Sequence, residues 1–332
     1  MDPALPAALR AAIDRALEGR TRGGLAQRAG AISEGYRRGR ASSALVRDGA
    51  DALAYALTRT PATYAATRRA LEEIRVLRPD FAPATLLDAG AGPGGGGWAA
   101  ADALPSLETC TRLDHSPAFL DLAGVLSEGG PAVLAEARRL QADLADAGVA
   151  TPEADLVLAA YALTEIDPRR LPGVAERLWA STRGVLLVVE PGTPEGWRRG
   201  LAVRAQLLGA GARLIGPCPH AGPCALDAPD WCHFVQRLPR SRDHRRAKGA
   251  EAPFEDEKFF WVAAERIRAD EAGGGPARVI APPRIGKAGA WLRLCLPDGR
   301  IEDVEVPRRD RAGFARARRL GWGDAVFPEG DQ

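Results

Sequence analysis

Three of the five cysteines in this 332-residue chain fall in one short stretch, GPCPHAGPCALDAPDWCHF, as Cys218, Cys224 and Cys232. Pro217 and Pro223 each stand directly before one of them. The pattern is Cys-x5-Cys-x7-Cys, and a fourth thiol, Cys295, follows 63 residues after Cys232. Four thiolates suit a structural zinc ion or an iron–sulfur cluster. Zinc knuckles usually leave about two to four residues between paired ligands. The wider gaps here suit loops draped round a larger object, with prolines to stiffen them. Spacing therefore points to an iron–sulfur cluster, while zinc stays open because His220 and His233 are alternative ligands. Cys110 lies in an apolar run and reads as an ordinary buried thiol.

A second chemical motif precedes the cysteines. LLDAGAGPGGGGW holds Asp88-x-Gly90-x-Gly92-x-Gly94 between an apolar run and a helical pattern. Glycines let the backbone turn tightly and let a ligand approach it, and the following helix start offers free N–H groups. This spacing resembles the first motif of class I S-adenosylmethionine methyltransferases, in which the loop packs under the methionine part and the adenosine. Asp114 would serve the ribose hydroxyls, and Asp143 the adenine amino group. Gly90-x-Gly92-x-x-Gly95 also satisfies the dinucleotide pattern, so a nicotinamide-linked iron–sulfur oxidoreductase is the rival. Asp88 inside the motif, and the helical residues before the first strand, favour the methyl donor. No catalytic group stands out: Ala159-Ala160-Tyr161-Ala162 occupies the place of an Asn/Asp-Pro-Pro-aromatic loop, and Glu165 and Glu190 lie at strand ends where acids often only cap or bind.

Charge adds a third feature. The net charge is only +2, yet from Arg198 to Lys248 ten Lys/Arg face three Asp, and three of the four His fall there as well. Such a patch can follow phosphates. Arg237, Arg240, Arg242, His244, Arg245, Arg246 and Lys248 are the expected RNA-binding residues, with Trp231 or Phe234 available to stack. The N-terminus carries an early Asp and no long apolar run, which leads to an expected cytoplasmic location with no membrane and no DNA partner.

These residues need a frame. Residues 1–80 read as an N-terminal helical region, with DALAYALTRTPATYAATRRALEEIRVL as two helices broken before Pro61. From residue 81 to 270, short apolar runs alternate with helical patterns, which implies an α/β, doubly wound, Rossmann-like parallel sheet of the class I methyltransferase kind. CHFVQRL and KFFWVAAERI are strand candidates for an antiparallel closing pair, and a Cys-rich basic insert spans 214–257. Residues 271–332 read as a small C-terminal β module, with a hairpin around Pro297-Asp298-Gly299 that supplies the fourth cysteine.

One resemblance covers most of the chain. Cys218 through Cys232-His233-Phe234, then Arg240, His244, Lys248 and Glu255-Asp256-Glu257-Lys258-Phe259, are similar to the methyltransferase-like family of ribosomal small-subunit proteins, of the mitochondrial small-subunit assembly type. Tyr36-Arg37-Arg38-Gly39, Thr60-Pro61-Ala62-Thr63-Tyr64, Glu190-Pro191-Gly192-Thr193 and Trp322-Gly323-Asp324 extend it. The resemblance implies a [4Fe–4S] cluster on Cys218, Cys224, Cys232 and Cys295. It also implies binding to the ribosomal small subunit and its rRNA, as an rRNA methyltransferase or an assembly factor. The chain is identified as a bacterial member from its composition.

Overall fold

A computed structural model describes residues 3–266 and 275–327. The expected boundary between 270 and 271 lies outside the described residues. The N-terminal region is helical as expected: α1 (Ala7–Ala16), α2 (Arg22–Arg37) and α3 (Gly49–Leu77). Asp48 starts α3 by accepting hydrogen bonds from the backbone N–H groups of Ala50 and Asp51, which satisfies two donors that a helix start leaves free. The expected break before Pro61 does not occur, and α3 runs through it. An interior proline costs a helix roughly 3 kcal/mol. Here Leu53, Leu57, Tyr64, Leu71 and Ile74 are all buried against the rest of the molecule, and that burial outweighs the local penalty.

The α/β unit follows as β1 (Thr85–Ala89), α4 (Gly95–Ala103), β2 (Thr109–Asp114), α5 (Pro117–Ser127), α6 (Ala132–Ala135), β3 (Arg138–Gln141), β4 (Ala154–Ala160), α7 (Leu171–Ala180), β5 (Thr182–Pro191), α8 (Pro194–Gly209), β6 (Arg213–Gly216), β7 (Phe234–Pro239), α9 (Arg242–Lys248) and β8 (Phe254–Glu265). The sheet order is β3-β2-β1-β4-β5-β8-β6, with β7 on the other half of β8. Strands β1 to β5 pair in parallel, and β8 runs antiparallel to β5, with Val189 opposite Trp261. A dinucleotide domain places a sixth parallel strand beside the fifth. An antiparallel strand inserted there is the class I methyltransferase arrangement, so strand order decides between the two readings of the glycine loop at the level of fold. The central strands are apolar along nearly their whole length because helices cover both faces; Leu87, Leu156, Val157, Leu187 and Val189 are fully enclosed.

The C-terminal module is a second, antiparallel sheet. Its strands are β9 (Ala277–Val279), β10 (Arg284–Ile285), β11 (Gly289–Cys295), β12 (Ile301–Pro307) and β13 (Ala325–Val326), with α10 (Arg311–Ala317) between the last two. The order is β10-β11-β9-β13, with β12 on β11. The β11–β12 hairpin turns at Pro297-Asp298-Gly299, where Gly299 takes a φ of 87°, a conformation that favours glycine. Val279, Ala290, Leu292, Leu294 and Ala317 form its small core.

Candidate functional site

The glycine loop lies where strand order reverses, the usual ligand position in such sheets. Gly90, Gly92 and Gly94 adopt φ values of 72°, 53° and 91°. A Cβ on Gly90 would meet the Ala162 Cβ at 2.5 Å, so both backbone angle and space demand glycine. The loop is latched to β2: the Gly90 and Ala91 N–H groups donate to the Leu113 carbonyl at 2.8 and 3.0 Å. Asp114 accepts from the Gly92 N–H and the Ser116 N–H, each at 2.8 Å. Asp88 is buried beneath the loop and accepts from the Gly97 N–H at 3.0 Å. Burial pushes the Asp88 carboxyl up to about 7, against the pull of Arg112, and burial also raises Asp114.

Beside the loop is a cavity of about 440 Å³. Gly90, Gly92, Asp114 and Asp143 line it, whereas Asp88 and Gly94 shape the loop from behind. The N-terminal helices close the cavity from above through Ser42, Tyr55 and Thr60. Glu165 fastens this cover. It accepts from the Tyr36 hydroxyl at 2.8 Å, the Ser42 N–H at 3.0 Å and the Ser42 hydroxyl at 2.5 Å. Tyr161, at the end of β4, has a φ of 59° and donates its hydroxyl to Glu257 at 2.8 Å. A bulky residue in that conformation carries roughly 1–2 kcal/mol of strain, and strained residues gather at functional sites. Glu190 is enclosed and accepts from the Leu163 N–H at 3.0 Å; burial pushes it up to about 8. Both glutamates thus serve local hydrogen bonds.

A second, mostly apolar cavity is lined by Cys218, Cys224, Cys232 and Cys295 together. All four are free thiols. Burial, followed by the neighbouring Cys218, Cys224 and Cys295, pushes the Cys232 thiol well above its ordinary value. Burial and the Cys218 and Cys224 thiols push Cys295 up to about 12, while Arg204 and Arg278 oppose them. Among the described residues, no group of three His, Cys, Asp or Glu is placed to hold a metal ion. The four thiols line one cavity and act on one another electrostatically.

Two buried arginines, which the residue pattern alone does not single out, build this region. Arg204 on α8 donates to the carbonyls of His220 and Gly222 at 2.6 and 2.7 Å, and its Nε is buried without a partner. Arg278 on β9 sits directly across from Cys295. It donates to the carbonyls of Pro217 and Gly323 at 3.1 and 2.8 Å and pairs with Glu73 at 2.5 Å. Their signal in the sequence is a charged residue inside an apolar segment, in LAVRAQLL and ARVIAP. The Trp231 indole donates to the Gly192 carbonyl at 3.0 Å and its ring stacks on His233.

The seven basic residues divide into three groups. Arg240, Lys248 and His244 gather round Glu255, with Arg240 at 3.1 Å, Lys248 at 2.5 Å and His244 at 3.4 Å. His244 is buried, with 1% of its surface exposed. Arg237 forms a two-pronged pair with Asp256 at 2.7 and 2.8 Å. Arg242, Arg245 and Arg246 surround an open hollow on α9. Phe234 is buried and Trp231 is engaged in the cysteine loop, so neither presents a free ring face.

Comparison with known proteins places this assembly. Residues 49–327 match the family described as mitochondrial small ribosomal subunit Rsm22. The chain belongs to that family. The human mitochondrial ribosome assembly protein METTL17 is 29% identical over 295 residues, which cover 82% of this chain and 62% of that protein. The Rsm22-cox11 tandem protein 2 of Schizosaccharomyces pombe, a mitochondrial protein, is 23% identical over 329 residues, covering 83% and 43% respectively. The chain thus spans less than two thirds of these Rsm22 relatives. Among solved structures, magnesium protoporphyrin IX methyltransferase from Synechocystis matches 63% of this chain and 84% of its own, at 12% identity and a TM-score of 0.39. The expected cytoplasmic location is corrected by the Rsm22 relatives, which are named as mitochondrial. A polar N-terminal stretch was an insufficient ground for it, because targeting segments are separate from the fold. No helix among the described residues is long and apolar enough to cross a membrane.

Proposed function

We propose that this Rsm22-family chain is an assembly factor of the small ribosomal subunit that binds S-adenosylmethionine in the glycine-loop cavity, carries a [4Fe–4S] cluster on its four cysteines and grips rRNA with its basic face. One observation carries the reading: thiols from the 218–232 loop and from β11 of the second sheet line a single cavity. When bound, the cluster would supply a strong cross-link between the two sheets and a local negative charge. Arg204 and Arg278 are suited to that charge, since both guanidinium groups are buried beside the thiols and the Arg204 Nε lacks a partner. With the loop fixed, α9 would hold Arg242, Arg245 and Arg246 in place beside the β7–β8 hairpin.

In the glycine-loop cavity, the Gly90–Gly94 backbone would seat the methyl donor while Asp114 and Asp143 face its ribose and base. Two observations favour binding over methyl transfer. Glu165, the acid at the cavity mouth, is engaged by three donors from the N-terminal cover, and Tyr161 is tied to Glu257. The donor would then act as a structural ligand that sets the cover and β4. The test is ultraviolet crosslinking of the protein in its native cells, followed by sequencing of the attached RNA. Enrichment of small-subunit rRNA is expected; reads spread evenly over large-subunit rRNA and messenger RNA would refute the assignment.

A further inference from the structure

The outward face of the β7–β8 hairpin has a use beyond charge. Residues alternate between the two faces of a strand, and in the outer half of β8 they divide cleanly. Glu255 and Glu257 turn inward, to the Arg240–Lys248–His244 cluster and to Tyr161. Phe254, Asp256 and Lys258 turn outward and are exposed. Phe254 is one of four large apolar side chains with substantial exposure among the described residues, at 42%. The Arg237 guanidinium lies 4.2 Å from its ring centroid. Register puts Arg237 opposite Asp256, whose carboxylate holds both ends of that guanidinium. Arg237 thus lies against the phenyl ring while Asp256 accepts from its Nε and one Nη. The rest of the ring contributes to the 42% of Phe254 that is exposed. Lys258 stands four residues along the same face, roughly 13 Å away at about 3.3 Å per residue.

We propose that this face binds an unpaired stretch of RNA, with one nucleobase stacked on Phe254 and a phosphate further along the strand held by Lys258. Base–aromatic stacking needs a base that is free of its helix, and a flat ring backed by a cation is a good platform for it. A duplex buries its base faces and presents only phosphates and groove edges. The face thus selects single-stranded segments, while Arg242, Arg245 and Arg246 on α9 attract any RNA. This rests on the RNA-binding reading above and adds the class of RNA recognised.

The test uses the full chain with its cluster, a fluorescently labelled single-stranded RNA of mixed sequence, and the same strand annealed to its complement. Anisotropy gives both affinities. Phe254→Ala and Phe254→Leu are expected to weaken single-strand binding about tenfold, within the roughly 1–3 kcal/mol found per stacked base, and to leave duplex binding unchanged. Phe254→Trp should retain single-strand binding. Lys258→Ala should lower the salt dependence of single-strand binding by about one counterion. Wild-type single-strand affinity in Phe254→Ala and Phe254→Leu, together with weak binding by an Arg245→Ala/Arg246→Ala variant, would overturn the stacking platform and leave the basic face standing. Equal loss of single-strand and duplex binding in both Phe254 variants would overturn it too. If the wild-type protein binds neither RNA, the RNA-binding reading itself falls.

Discussion

Replacement of Arg278 by leucine tests how the two sheets are joined. Arg278 is 1% exposed and makes its contacts in three directions: to Glu73 on α3, to the Pro217 carbonyl beside Cys218, and to the Gly323 carbonyl near the end of the second sheet. Breaking a buried ion pair by removing one partner typically costs about 3–5 kcal/mol. Glu73 keeps a second partner, Arg69 at 2.7 Å, so its charge is not stranded. Two carbonyls lose a donor, at about 1–3 kcal/mol each if they stay dry, but the cavity between loop and sheet can admit water to one of them. The expected loss is therefore near the lower bound, about 3 kcal/mol. Urea unfolding monitored by tryptophan fluorescence measures it, with the transition of the cysteine region followed separately by cluster absorbance. Arg278→Leu/Glu73→Gln should recover part of the loss if the ion pair is the cause. A loss under about 1 kcal/mol for Arg278→Leu would refute the reasoning, because the contacts of Arg278 would then contribute little to joining the two sheets.

Two further outcomes follow from the glycine loop. Gly90→Val should reduce S-adenosylmethionine affinity at least tenfold by calorimetry, since the left-handed backbone alone costs a side chain roughly 1–2 kcal/mol and the new Cβ would strike Ala162; unchanged affinity would move the ligand elsewhere. Asp88 is protonated more readily folded (about 7) than at its ordinary value of 3.8, so the native state holds the extra proton between those values. Its contribution falls as pH rises from about 4 to 7, by an amount of the order of 4 kcal/mol. Asp88→Asn should flatten that part of the stability–pH curve, and an unaltered slope would show that Asp88 is ionised when folded.

Much of this architecture was legible because it is periodic or compositional. The apolar runs of β1, β4 and β5 are buried on both faces, and such runs have few alternatives. The hairpin around Pro297-Asp298-Gly299 was legible from its turn residues. The four cysteines could be grouped by type alone, although only the fold brings β11 to the loop. What escaped was set by tertiary contact. The α3 helix passes Pro61 because its neighbours reward burial there. Strand β6 has four residues, too few to show a period. The edge strand β3, Arg138-Arg139-Leu140-Gln141, is mostly exposed and looks like a polar loop. The basic stretch was visible as charge, but which cations are spent on carboxylates was not. Glu255 and Asp256 lie 15 and 19 residues from Arg240 and Arg237, and only hairpin register joins them. The same register decides that Phe254, rather than Phe234, presents a ring to solvent.

Iron and acid-labile sulfide analysis of anaerobically purified protein, with absorbance near about 400 nm, tests the four-cysteine cluster most directly. About four iron and four sulfide per chain are expected for the wild type, with Cys295→Ser losing as much of both as Cys224→Ser. One zinc per chain without sulfide, or full iron retained in Cys295→Ser, would contradict the account.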